Sequence, residues 1–75
     1  MSVRHDLDCT GLFCPMPIIN TKRELDTMAS GDVLEIVADD PGFEKDLPAW
    51  CAATGNECVT IHKDGINIKG VVKKK

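Results

Sequence analysis

Apolar positions along this chain recur every second residue in some stretches and every third or fourth in others, and these periods mark out six elements. Arg4–Cys9 alternates, with Leu7 and Cys9 on one side and Asp6 and Asp8 on the other, which predicts a first strand. Thr10–Phe13 connects it to a helix whose start is set by prolines. Proline is tolerated in the first helical turn, so Pro15 and Pro17 place Cys14 at the N-cap, Pro15 at N1, Met16 at N2 and Pro17 at N3. From Pro15 to about Met28, Ile18, Leu25 and Met28 form an apolar stripe, joined by Ile19 and Ala29. Lys22, Arg23, Glu24 and Asp26 populate the outside. Ser30-Gly31-Asp32 ends the helix, Gly31 suiting a left-handed terminal turn.

Val33–Ala38 is rich in β-branched residues and puts Leu34, Ile36 and Ala38 on one face of a second strand. Asp39-Asp40-Pro41-Gly42 breaks it, with Asp40 the expected N-cap of a second helix. That helix carries Phe43, Leu47, Trp50, Cys51 and Thr54 on one face. Pro48 has no N–H to give Glu44, so either a kink or a regular helix beginning near Asp46 is expected. Gly55-Asn56 stops it. In the last third, Cys58–Lys63 and Ile66–Val72 flank Asp64-Gly65, read as a two-residue hairpin turn. This turn sets Ile61 opposite Ile68 and Val59 opposite Gly70, with Ile61, Ile68 and Val59 sharing a face.

A chain of 75 residues cannot cover both faces of a sheet. The order therefore predicts an α/β (α+β) fold, a two-layer βαβαββ sandwich in which a mixed four-stranded sheet carries two helices on one face. Residues 1–75 read as one domain without repeats or linkers.

Composition narrows the setting. A hydrophobic fraction of 43% and a charged fraction of 28% are those of a soluble globular protein, and with three aromatics its core must be mostly aliphatic. No apolar run approaches the roughly 20 residues of a membrane helix. Met1–Asp6 lacks the apolar segment of a signal peptide, so a cytoplasmic monomer that avoids membranes is expected. The net charge of −3 counts against non-specific nucleic-acid binding, which depends on neutralising phosphates. The basic Lys73-Lys74-Lys75 end reads as a frayed, solubilising tail. Four cysteines without an export signal read as thiols. Cys9 and Cys14 are separated by four residues and Cys51 and Cys58 by six, so neither pair forms a zinc knuckle. His5 and His62 lie outside any ligand-like spacing, and no metal or cofactor is expected.

The candidate chemistry lies at Cys14. Cysteine is a poor cap, yet a thiol at the positive end of a helix dipole ionises more readily, and the thiolate is the nucleophile. Pro15 and Pro17 remove two N–H groups from the helix end, which leaves the Met16 amide to point at the sulfur. Cys51, on the apolar stripe, reads as core, and Cys58 as structural. Cys9 precedes the same turn as Cys14 and is a possible resolving thiol. Asp39 and Asp40 read as turn and cap residues.

The run Asp8-Cys9-Thr10-Gly11-Leu12-Phe13-Cys14-Pro15-Met16-Pro17-Ile18 resembles the Gly-Leu-x-Cys-Pro-x-Pro signature of the TusA/SirA family. Asp39-Asp40-Pro41, Asp46-Leu47-Pro48-Ala49-Trp50-Cys51 and the element order extend the resemblance over essentially the whole chain. It implies a small cytoplasmic sulfur carrier, a sulfurtransferase that holds sulfane sulfur as a persulfide on Cys14. Gly11, Phe13, Pro15, Met16 and Pro17 would form its active-site turn. The implied partners are a cysteine desulfurase or rhodanese-like donor and a downstream sulfur acceptor serving tRNA thiolation, cofactor maturation or sulfur oxidation. One departure stands out: several family members carry a basic residue before the cysteine, and this chain has Phe13. Two other readings stay open, a redox or regulatory thiol module without sulfur transfer and a nucleic-acid-binding module.

Overall fold

The computed structural model describes residues 3–75, so Met1 and Ser2, part of the segment read for a leader, lie outside it. The six elements follow in the expected order: β1 (Arg4–Cys9), α1 (Met16–Asp26), β2 (Val33–Ala38), α2 (Phe43–Thr54), β3 (Glu57–Asp64) and β4 (Asn67–Lys73). The strands form one mixed sheet in the order β1-β2-β4-β3, in which β1 and β2 run parallel and the other neighbours antiparallel. Both helices cover one face, giving the two-layer α+β arrangement.

The core between the layers follows the period-two pattern. Leu34, Ile36 and Ala38 of β2 are fully buried, as are Ile68 and Val72 of β4. Phe43, Leu47 and Cys51 of α2 meet them, and Leu25 of α1 with Met28 just beyond it closes the other end. Each of the larger of these side chains contributes about 1.5–3 kcal/mol by leaving water. The stripe on α1 differs from expectation. Pro17 and Thr21 are buried in it, Ile18 is half-buried, and Ile19 and Ala29 face solvent. Thr21 is satisfied there because its hydroxyl donates to the Pro17 carbonyl at 2.7 Å.

The hairpin register is corrected by the structure. The turn is Gly65-Ile66, so Asp64 pairs with Asn67, Lys63 with Ile68 and Ile61 with Gly70. Gly65, at φ 64, takes the left-handed first position, and Ile66 follows without a positive φ, the arrangement of a type II′ turn. Moving the turn by one residue moves the pairing by two, so Ile61 and Ile68 keep their common inner face. A bulge between Cys58 and Thr60 then reverses the alternation: Cys58 turns inward and Val59, expected inside, is exposed.

Two further expectations change. α2 runs unbroken from Phe43 to Thr54 with Pro48 inside it, and its helical turns begin before Asp46. The lysine tail is docked rather than frayed. Lys74 exchanges backbone hydrogen bonds with Gly31 and Asp32, and its ammonium donates to the Leu25 carbonyl near the end of α1. The Lys75 ammonium donates to the Thr54 carbonyl at the end of α2, at 2.7 Å. Cations at helix C-termini are electrostatically favoured.

Candidate functional site

Because β1 and β2 are adjacent and parallel, with Cys9 in register with Ala38, the segments leaving them emerge side by side at one end of the sheet. Such carboxyl ends are where open α/β sheets place their sites. Here the Thr10–Pro15 turn lies against the Asp39–Gly42 turn and the start of α2. Asp8 closes β1 by accepting the Thr10 amide at 2.9 Å and its hydroxyl at 2.7 Å. Gly11, at φ 79, uses a left-handed conformation and donates its N–H to both Asp39 carboxylate oxygens at 3.1 Å. Asp40 spans the gap: one carboxylate oxygen accepts the Cys14 amide at 2.8 Å, and the other accepts the Gly42 amide at 3.2 Å. It therefore organises the turn into α2, although Gly42, not Asp40, is the residue before the first helical position.

Cys14 is exposed at the tip of this arrangement. The helix starts one residue later than expected, with Pro15 as its N-cap and a cis peptide bond between Cys14 and Pro15. The Met16 amide does not face the sulfur; it donates to the Phe13 carbonyl at 2.8 Å and closes the turn. The Cys14 thiol instead donates to the Asp46 carboxylate on the first turn of α2, at 3.2 Å. Its pKa is raised above the ordinary thiol value, first by that hydrogen bond, then by partial desolvation and the charges of Asp46 and Asp40. The shift is opposite to the lowering expected from the helix end, because the thiol gives its proton to a carboxylate and has two acidic side chains near it.

The other thiols are differently placed. Cys9 is fully buried, and its thiol faces the Pro17 carbonyl at 4.0 Å. Burial raises its pKa. Cys51 is buried, with its pKa pushed up to about 11 by desolvation, and half-buried Cys58 is raised for the same main reason. Of the expected turn residues, Gly11, Phe13, Pro15 and Met16 flank Cys14 at the surface, whereas Pro17 is buried beneath them. Phe13 is 76% exposed, and Met16 and Ile19, three residues apart on α1, are 39% and 37% exposed. Together they put an apolar rim beside the thiol. Asp46 was missed by sequence reasoning, which placed it only at the onset of a helix. Its alignment with Cys14 depends on the parallel pairing of β1 and β2.

The fold and the site define a class of small two-layer α+β proteins that present one exposed thiol on the turn into their first helix. A SirA-like protein from Desulfitobacterium hafniense shares this fold with a TM-score of 0.78, covering 92% of this chain and 95% of its own at 23% identity. The chain belongs to the family described as Sulfurtransferase TusA, which matches residues 5–74. The sulfur carrier protein TusA of Allochromatium vinosum is 42% identical over 70 residues, spanning 93% of this chain and 92% of its own. The putative sulfur carrier protein YrkF of Bacillus subtilis is 41% identical over 68 residues, 91% of this chain but 37% of its own.

Proposed function

We propose that the protein is a sulfurtransferase acting as a stoichiometric carrier, holding sulfane sulfur as a persulfide on Cys14 and relaying it between partner proteins. The observation that carries this reading is the placement of Cys14, the exposed thiol of the four, at the edge of an apolar rim. The donor is a cysteine desulfurase or a rhodanese-like protein, and the acceptor is a downstream sulfur-using protein in tRNA thiolation, cofactor maturation or sulfur oxidation. Four unpaired thiols fit work in the reducing cytoplasm.

The exchange needs no outside oxidant. The Cys14 sulfur attacks the terminal sulfur of the donor's persulfide, a sulfur–sulfur bond forms to Cys14, and the donor's own sulfur–sulfur bond breaks. The donor sulfur leaves as a thiolate and takes up the proton that Cys14 gave up. Transfer to the acceptor repeats the step with Cys14 as the leaving group. Gly11, Phe13, Pro15, Met16 and Pro17 hold the turn that presents the sulfur, and Cys9, the candidate resolving thiol, packs beneath it.

The test is mass spectrometry after incubation with a cysteine desulfurase and L-cysteine. The expected result is a reductant-labile adduct of one sulfur mass on the Cys14 peptide, absent from Cys14→Ser. Sulfur loading of the serine variant at wild-type stoichiometry would refute the assignment. A disulfide from Cys9 to Cys14 without the adduct would support a redox module instead.

A further inference from the structure

The contact between Cys14 and Asp46 raises a question that the carrier role leaves open, namely why a transfer thiol sits against a carboxylate. Resting on the persulfide reading above, we propose that Asp46 is a positioning residue that keeps Cys14 protonated and quiet in the free carrier, and that a cationic side chain of the docked donor releases it. Three observations carry this. The thiol donates directly to Asp46 at 3.2 Å, so its proton is held by the group that most opposes its loss. Asp40, on the Cys14 amide, adds a second negative charge near the thiol, while Asp39 holds the Gly11 amide of the same turn. Among the described residues, contacts with lysine, arginine or histidine side chains engage Asp6, Glu24, Asp26, Asp32 and Glu35, leaving Asp39, Asp40 and Asp46 outside them. The groups facing the sulfur are therefore Asp46 from α2 and Asp40 from the preceding turn, both acidic.

A partner that neutralises this cluster reverses the balance. A lysine or arginine brought against Asp46 takes over its carboxylate, the thiol loses its best acceptor, and its ionisation becomes easier. The apolar rim of Phe13, Met16 and Ile19 supplies desolvation, which strengthens such a pair once water is excluded. The proton leaves Cys14 as the sulfur attacks and ends on the donor's departing sulfur, so the balance of the exchange is unchanged. The free carrier is thereby protected from stray oxidants and alkylating agents. The chemistry of the partner surface is also specified: a basic group beside a pocket for apolar side chains.

The test needs no sulfur donor, which separates it from the persulfide reading. Alkylation of Cys14 by iodoacetamide is followed by peptide mass spectrometry across pH in the full chain, for wild type, Asp46→Asn, Asp46→Ser and Glu44→Gln. Both Asp46 variants are expected to shift the pH–rate profile to lower pH and react several-fold faster at neutral pH. Glu44→Gln, exposed on the same turn, should track wild type. In parallel, a trimethylammonium-bearing methanethiosulfonate should outpace a sulfonate-bearing one on wild type, and the ratio should fall in both Asp46 variants. Circular dichroism checks that each variant is folded, and the serine variant serves if the asparagine one is not. Profiles of the Asp46 variants that coincide with wild type, or move to higher pH, overturn the proposal. Failure of wild type to take up sulfane sulfur from inorganic polysulfide would overturn the persulfide reading while leaving the alkylation result standing.

Discussion

Gly70 is the position where the packing of α2 on the sheet can be tested most directly. It lies in β4 between Ile36 of β2 and Ile61 of β3, on the face covered by α2. A Cβ there would fall well inside van der Waals contact of Leu47 Cδ2 and touch Phe43 Cε2 at 3.6 Å. Leu47 is fully buried, so it could yield only by shifting within the core. Overpacking of this kind costs about 1–3 kcal/mol. The gain in replacing a strand glycine with alanine returns about 0.5–1 kcal/mol. Gly70→Ala should therefore lose up to about 2.5 kcal/mol, and a domain of this size loses about 4–8 °C in Tm per kcal/mol. Denaturant titration and thermal melts read both. The decisive comparison is the Leu47→Ala background, which by itself costs about 2–5 kcal/mol. There the added methyl enters the vacated space, so Gly70→Ala should become neutral or stabilising. An equal loss in both backgrounds would refute the clash as the cause. Leu47 follows Asp46 in the chain, so displacing α2 should also loosen the carboxylate from Cys14 and speed alkylation of the single variant.

Other outcomes follow from the polar anchors. Asp32 is buried and accepts the Val3 amide at 3.0 Å, the Ala29 amide at 3.1 Å and a contact from His5 at 3.4 Å, so its pKa is depressed, first by the Val3 bond. A depressed pKa gives stability that is full above the unfolded value, near 3.8, and is lost as pH falls through the lower folded value. Asp32→Asn should melt below wild type at neutral pH, with the gap narrowing as pH drops below 3.8; a pH-independent gap would contradict this. Replacing Lys74 and Lys75 with alanine removes two cations from helix ends, worth about 0.3–1 kcal/mol each, and should lower Tm by several degrees, less at high salt. An unchanged melt would show that the docked tail contributes no stability.

Local pattern carried most of the architecture. The alternation of Leu34, Ile36 and Ala38, the helical spacing of Phe43, Leu47 and Cys51, and the prolines after Cys14 are properties of neighbouring residues, and they place the elements and the candidate thiol without reference to distant parts of the chain. The family signature around Cys14 likewise lies in contiguous residues. The hairpin register is not fixed by local pattern, because Asp64-Gly65 and Gly65-Ile66 both provide a glycine for the bend, and the inner face is the same for either. The bulge that exposes Val59 also has no local mark.

What the sequence could not supply is the environment of the sulfur. Asp40 and Asp46 stand 26 and 32 residues from Cys14 and reach it only because β1 and β2 pair in parallel and release their following turns at the same end. The thiol's pKa is raised first by the Asp46 hydrogen bond, then by desolvation and the charges of Asp46 and Asp40, none of which the local run around Cys14 announces. The docking of Lys74 and Lys75 against two helix ends is of the same kind, joining residues 49 and 21 positions apart. The short-range periods determine which residues form each element, whereas the electrostatics of Cys14 are decided by distances between elements, which only the assembled sheet sets.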